Sequence, residues 1–255
     1  MADELDIERH EQLASYLRVT GRIGAREPIV CRTLGGGVSN RAVWVDLGDR
    51  RAWVLKQALA KLRVKDEWLS DPARIRREAD GLRYLARLAP SGTTTPLVFE
   101  DPAVYLLAMQ AVPHPHENLK AIFLAGTLPR ERLLRLITDF GALLGSVHAN
   151  AWLRADEVRP GFEDTSFFQS LRVEPYYRAT AAREPTADRF YAELTDHARA
   201  TRLTLTHGDY SPKNVLVRPG GVGDAKGEDQ LVLLDHEVIH WGDPRLTSGS
   251  LWHTC

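Results

Sequence analysis

Cysteine is nearly missing from this 255-residue chain, which has only Cys31 and Cys255. Two thiols so far apart provide neither a disulfide framework nor the close spacing of a metal-ligand set. Cys31 falls in a predicted strand and reads as a small core residue. An excess of charge is missing too: 33 Lys and Arg stand against 34 Asp and Glu, a formal net of −1. The basic residues are interspersed with acids and form no block, which argues against a nucleic-acid partner. No run of about 18 apolar residues is present to span a bilayer. The opening Met1-Ala-Asp-Glu-Leu-Asp6 is acidic where a secretion signal is basic and then greasy. The expectation is a soluble, cytoplasmic protein with no membrane partner. Internal repeats are absent. With 44% hydrophobic residues, the chain can bury a sizeable core, as one two-lobed domain or two small ones.

Against those absences stands one dense stretch. Leu205-Thr-His207-Gly-Asp209-Tyr-Ser-Pro-Lys-Asn214-Val-Leu-Val217 carries His-x-Asp with an Asn five residues after the Asp. That spacing puts a proton acceptor and a magnesium ligand on one loop, as phosphoryl transfer requires. The apolar residues on either side read as buried supports. Downstream, Leu231-Val-Leu-Leu-Asp235-His-Glu237 is a short apolar strand ending in two acids. At period two, their side chains would share one side of an extended backbone, and oxygen donors so placed suit magnesium. A lone His-Gly-Asp is an ordinary loop sequence, and an acid after a strand is an ordinary terminator. The ordered combination is what points to chemistry.

Upstream, Glu8 to Leu17 reads as an amphipathic helix, and 28–32 and 41–45 read as strands flanking Leu34-Gly35-Gly36-Gly37-Val38-Ser39-Asn40. Consecutive glycines let backbone N–H groups approach phosphate oxygens, although a plain turn is the competing reading. The next predicted strand, Trp53 to Gln57, carries Lys56, placed like the lysine that pairs with α- and β-phosphates. Asp71 to Leu88 reads as a helix with a cap, a Pro in the first turn, and Ile75, Leu82, Leu85 and Leu88 at helical spacing. Glu78, midway along it, is the best partner for Lys56; an ordinary solvated glutamate is the alternative.

From about Val30 to Pro244 these motifs, in this order, resemble the aminoglycoside phosphotransferase superfamily, small-molecule kinases that share the protein-kinase fold. The resemblance implies an α+β, bilobal, protein-kinase-like fold. Its N-terminal nucleotide-binding lobe, an antiparallel sheet plus a helix, would span 1–109; a mainly helical catalytic lobe would span 110–255. Asp209 would be the catalytic base. Asn214 and Asp235 would hold Mg2+, with Glu237 as a further ligand where protein kinases have Asp-Phe-Gly. ATP would lie in the cleft with its phosphates under Gly35, Gly36, Gly37 and Ser39 and against Lys56, docked by Glu78. Adenine would meet hinge backbone near Gln110 and Val112. The acceptor would be a hydroxyl of a small molecule, aminoglycoside-like or another metabolite. The stretch Val54 to Leu59, with Arg63-Val64, Glu67-Trp68 and the helix from Arg74 to Glu78, also resembles methylthioribose kinase, so a sugar kinase is an alternative. A non-catalytic pseudokinase is disfavoured because every phosphate and metal residue is present. A protein kinase is disfavoured because Asp-Phe-Gly and Ala-Pro-Glu are missing. His207 reads as a residue that fixes the loop through backbone hydrogen bonds, with the base on Asp209.

The rest of the chain is less explicit. Pro129 to Asn150 predicts a long helix with Leu133, Leu136, Ile137, Phe140, Leu144 and Val147 on its apolar face, and His148 packed at its end. Trp152 to Arg202 is aromatic-rich and helix-prone; by resemblance it would serve the second substrate, whose nature its side chains do not disclose. His114, His116 and Glu117 lie among prolines in an extended loop without ligand geometry, so no metal is expected there. Gly220 to Asp229 reads as a flexible hairpin tip without a catalytic role. After Trp241-Gly-Asp-Pro244, members of the superfamily usually continue with an apolar residue, an Asp and an apolar helix. This chain reads Arg245-Leu-Thr-Ser-Gly-Ser-Leu-Trp-His-Thr-Cys255. From the base before Thr247, codons read one base earlier can encode Asp-Leu-Gly-Phe-Ser-Leu-Ala-His-Leu, an amphipathic helix start. The expectation is that residues 245–255 arise from a frameshift and that the catalytic lobe is incomplete.

Overall fold

A computed structural model describes residues 5–35, 37–65, 67–220 and 228–245. The expectations placed on Gly36, on most of the 220–229 hairpin tip and on the segment past Arg245 lie outside those residues. Two compact units make up the chain. The first comprises the described residues up to Ala79 together with Pro96–Ala111; the second comprises Asp80–Thr95 and the described residues from Val112 onward. Where the sequence suggests a single cut near residue 110, Asp80–Thr95 therefore belongs with the second unit.

In the first unit, α1 (His10–Val19) precedes β1 (Val30–Thr33), β2 (Asn40–Asp46) and β3 (Ala52–Ala58). Then come α2 (Arg74–Leu88), β4 (Leu97–Asp101) and β5 (Leu106–Gln110). The five strands form one sheet in the order β1-β2-β3-β5-β4, and every neighbouring pair is antiparallel. Strand side chains alternate between faces. Val43, Val45 and Leu55 accordingly point to one face and are fully buried in a cluster with Leu13 and Leu17 of α1. Gln57 follows Leu55 on that apolar face and is 4% exposed. A buried amide is tolerated only when its polar atoms are paired. Its Nε2 donates to the carbonyls of Leu5 (2.7 Å) and Val104 (3.3 Å), and its Oε1 accepts from the Ile7 N–H (3.4 Å). Lys56, between Leu55 and Gln57, projects to the opposite face.

The second unit opens with the end of α2 and continues through β6 (Glu117–Asn118), α3 (Leu119–Ala125), α4 (Arg130–Leu153) and α5 (Ala155–Phe162). A helical stretch over Ser166–Arg183 includes a wide-turn segment, Gln169–Arg178. A helix at Asp188–Ala200 leads into β7 (Thr204–Thr206), β8 (Val215–Arg218), β9 (Gln230–Leu233) and β10 (His240–Gly242). Strands β6, β8 and β9 form a small sheet, and β7 pairs with β10. The buried stripe of α4 runs Leu136, Phe140, Leu143, Val147 and Ala151. This narrows the predicted face: Ile137 is half exposed, because a helix that aims 136 and 140 inward turns 137 about 100° away. His148 is largely buried, which pushes its imidazole pKa down to about 4. Its carbonyl accepts from Thr204 Oγ1 at 2.6 Å, joining α4 to β7.

Candidate active site

Two groups of polar side chains stand out, one in each unit. In the first unit, Lys56 Nζ lies 2.6 Å from Glu78 Oε1, and the Glu78 side chain is fully buried. Burying a carboxylate without a cation would be costly, so the pair fixes the lysine ammonium in position on its strand. The glycine-rich turn between β1 and β2 is tied down by a residue that sequence reasoning did not single out. Arg74, fully buried at the start of α2, donates to the carbonyls of Ser39, of Leu59 (2.9 Å) and of Asp71 (3.1 Å). The Ser39 carbonyl also accepts from the Leu59 N–H at 3.0 Å. Arg74 thereby joins the turn to the exit of β3 and to its own helix. Gly35 has open space where a Cβ would sit, whereas a Cβ on Gly37 would press on the Asn40 carbonyl at 3.3 Å. The Gln110 N–H is already given to the Pro96 carbonyl at 2.9 Å, and Val112 is buried.

In the second unit, β7 delivers His207-Gly208-Asp209 directly after its last residue, and the β8–β9 hairpin returns the chain to it. His207 is buried, and its Nε2–H donates to the Leu234 carbonyl at 3.0 Å while Nδ1 accepts from the Asp209 N–H at 3.4 Å. Burial drives its pKa below the ordinary value, against the opposing pull of Asp209 and Asp235. A neutral ring with the proton on Nε2 satisfies both contacts, which makes His207 a brace between the loop and the residue before Asp235. A second brace comes from the Leu234 N–H, which donates to the Asn214 carbonyl at 2.9 Å. Tyr210 anchors the loop from beneath. Its hydroxyl donates to the Phe140 carbonyl at 2.6 Å, and its ring stacks on Phe140 at 4.3 Å.

Asp209, 4% exposed, is held through one oxygen. Its Oδ2 lies 2.6 Å from Arg172 Nη2, 2.9 Å from Lys213 Nζ and 3.1 Å from Asn214 Nδ2. Asn214 Nδ2 also donates to the Asp209 carbonyl at 2.9 Å, so the amide oxygen of Asn214 points away from Asp209. Burial opposes the charge of Arg172. The carboxylates of Asp209, Glu237 and Asp235 outweigh that cost and hold its guanidinium above its ordinary pKa. Nothing in the sequence around Arg172 signals this contact; only the fold brings it 37 residues back to the loop.

The expected geometry of the acidic pair needs correcting. Strand β9 ends at Leu233, Asp235 adopts φ 68°, and a turn follows at Glu237 and Val238. The alternation of an extended strand therefore does not relate Asp235 to Glu237. Asp235 is partly exposed, while Glu237 is 3% exposed. A left-handed backbone at a non-glycine residue is strained and concentrates at functional sites. His236, between the two acids, explains a glycine: a Cβ on Gly81 of α2 would lie 2.7 Å from the His236 Cβ.

The family model described as the phosphotransferase enzyme family matches residues 30–245, most of the chain. The chain belongs to that family. It is a small-molecule kinase in the broad sense, a phosphotransferase with an alcohol group as acceptor. No curated protein matches this phosphotransferase in sequence. Among solved structures it is similar to the gentamicin complex of APH(2″)-IIa, at 14% identity and a TM-score of 0.57, over 97% of this chain and 74% of that one. It is similar to choline kinase LicA from Streptococcus pneumoniae, at 14% identity and a TM-score of 0.53, over 96% and 74%. A putative fructosamine-3-kinase from Thermobifida fusca matches at 19% identity and a TM-score of 0.53, over 94% and 77%. Identities this low speak for the fold: the phosphotransferase is α+β and kinase-like. Among the described residues, no helix is long and apolar enough to cross a membrane.

Proposed function

We propose that this phosphotransferase moves the γ-phosphate of ATP to a hydroxyl of a small molecule, with Asp209 as the base. The observation that carries the reading is the state of Asp209. It is a buried carboxylate at a strand exit, with three donors on Oδ2. Those donors fix the side chain through Oδ2 and leave Oδ1 to orient the acceptor hydroxyl and take its proton. Most of the rate in phosphoryl transfer comes from positioning and charge neutralisation. Lys56, steadied by Glu78, supplies a fixed positive charge for the phosphates, beside the turn from Gly35 to Ser39 that Arg74 secures. Backbone near Gln110 and Val112 would meet the adenine; with the Gln110 N–H engaged, that residue would offer its carbonyl.

The residues fit magnesium. The Asn214 amide oxygen is turned away from Asp209, Asp235 carries a carboxylate on a strained turn, and Glu237 is a further acid close by in sequence. Among the described residues no three His, Cys, Asp or Glu side chains are placed to hold an ion by themselves. Magnesium needs no such cage, since it takes one or two carboxylates and completes its shell with phosphates and water. When bound, the ion would neutralise charge developing on the transferred phosphoryl group.

The test is Asp209→Asn, assayed for MgATP turnover and, by calorimetry, for MgATP binding. Turnover should fall by about 10²–10⁴ while binding persists. Undiminished turnover would refute the assignment of the base.

A further inference from the structure

We propose that the acceptor carries a carboxylate or phosphate near its reacting hydroxyl, and that Arg172, assisted by Lys213, selects it. This rests on the phosphotransfer reading above and narrows it to a substrate class. Arg172 reaches Asp209 from the wide-turn segment Gln169–Arg178, and Lys213 reaches it from within the loop. Two cations thus touch the carboxylate that would receive the hydroxyl proton. Asn214 also donates to its side chain and its carbonyl, so the orientation of Asp209 does not rest on these cations alone. Asp235 and Glu237 also act on Arg172; in this reading they serve magnesium, while Arg172 and Lys213 are the two cations in contact with Asp209.

Arg172 suits an anion in shape as well as sign. A guanidinium has five N–H donors in a planar fork that matches carboxylate and phosphate oxygens. Its Nη2 bonds Asp209 and its Nη1 donates to the Leu171 carbonyl at 2.8 Å, which uses two of the five. The Arg172 side chain remains 16% exposed and that of Lys213 42% exposed, so solvent, and hence a ligand, reaches both. An acceptor bearing ammonium groups would bring like charge against this pair.

The experiment uses the full chain and two sets of hydroxyl compounds that differ in charge: D-galacturonate, D-galactose and D-galactosamine; and D-glycerate, glycerol and ethanolamine. Each is titrated against MgATP turnover, read both as phosphorylated product and as suppression of hydrolysis by water. The anionic member of a set should act at about one-tenth the concentration of its neutral counterpart, or less. Arg172→Gln should erase that advantage by raising KM for the anion more than for the neutral compound, and Arg172→Lys should restore part of it. Lys213→Met, at the more exposed position, should reduce the same preference and serves if Arg172→Gln does not fold. Equal action within both sets, or a preference for the amines, would overturn the proposal. So would an Arg172→Gln variant that lowers kcat equally for every acceptor and for water, since Arg172 would then serve the phosphoryl group. If the wild-type chain fails to bind MgATP in calorimetry, the phosphotransfer reading itself is refuted.

Discussion

Gly208 offers the sharpest test of how the loop is built, because two independent constraints meet at one atom. Its φ of 76° lies in the left-handed region, which costs an L-residue roughly 1–2 kcal/mol. A Cβ there would also lie 2.7 Å from the Val238 carbonyl oxygen and 3.1 Å from Val238 Cγ2. The oxygen is backbone, so relief requires moving the turn after Asp235 or the loop bearing Asp209. Overpacking of this kind typically costs a further 1–3 kcal/mol, roughly. Gly208→Ala should therefore destabilise by about 2–5 kcal/mol, lowering Tm by roughly 5–15 °C for a chain of this size. Gly141 in α4 is the control. A Cβ there meets nothing within 4 Å, so Gly141→Ala should stabilise by about 0.5–1 kcal/mol through helix propensity. Calorimetric melting of both variants, with MgATP turnover measured in parallel, decides the matter. A Gly208→Ala protein that melts within about 2 °C of wild type and keeps its turnover would refute the packing argument.

Lys56→Ala removes the ammonium from a fully buried Glu78, so it should cost about 3–5 kcal/mol of stability and weaken MgATP binding about tenfold or more. Adding Glu78→Leu should restore much of the stability and none of the affinity, measured by urea unfolding and calorimetry. His148 predicts a pH dependence. Its folded pKa of about 4 lies below its unfolded value near 6.5, so its contribution is fully present above pH ~6.5 and fades as pH falls towards 4. The total is roughly 3 kcal/mol, and unfolding curves of His148→Phe between pH 7 and 4 should be flatter than those of wild type by that amount.

Much of the active-site loop was legible because its chemistry is local. His207, Asp209 and Asn214 lie within eight consecutive residues, so their spacing alone constrains what they can hold. Periodicity likewise exposed the sheet, α2 and α4, since burial of one face repeats every two residues in a strand and every three to four in a helix. Even there, the choice between Leu136 and Ile137 as the inward residue had to wait for the packing. The sequence left Glu78 as either a partner of Lys56 or a solvated acid; the 2.6 Å contact across 22 residues comes from the way α2 meets β3. Gln57 is named in the sequence only as the end of a predicted strand; it is the chain entry at Leu5 and Ile7 that satisfies its amide on the core face. The alternation that paired Asp235 with Glu237 failed because the backbone turns left-handed at Asp235, a conformation no composition announces. Arg74 and Arg172 were invisible for the same reason. An arginine on a predicted helix reads as surface, and only the approach of distant carbonyls or a distant carboxylate turns it into a clamp. Sequence determined which chemical groups were available and the local order in which they occur; tertiary structure decided which of them share a low-dielectric neighbourhood, where a contact of a few ångströms is strong enough to matter.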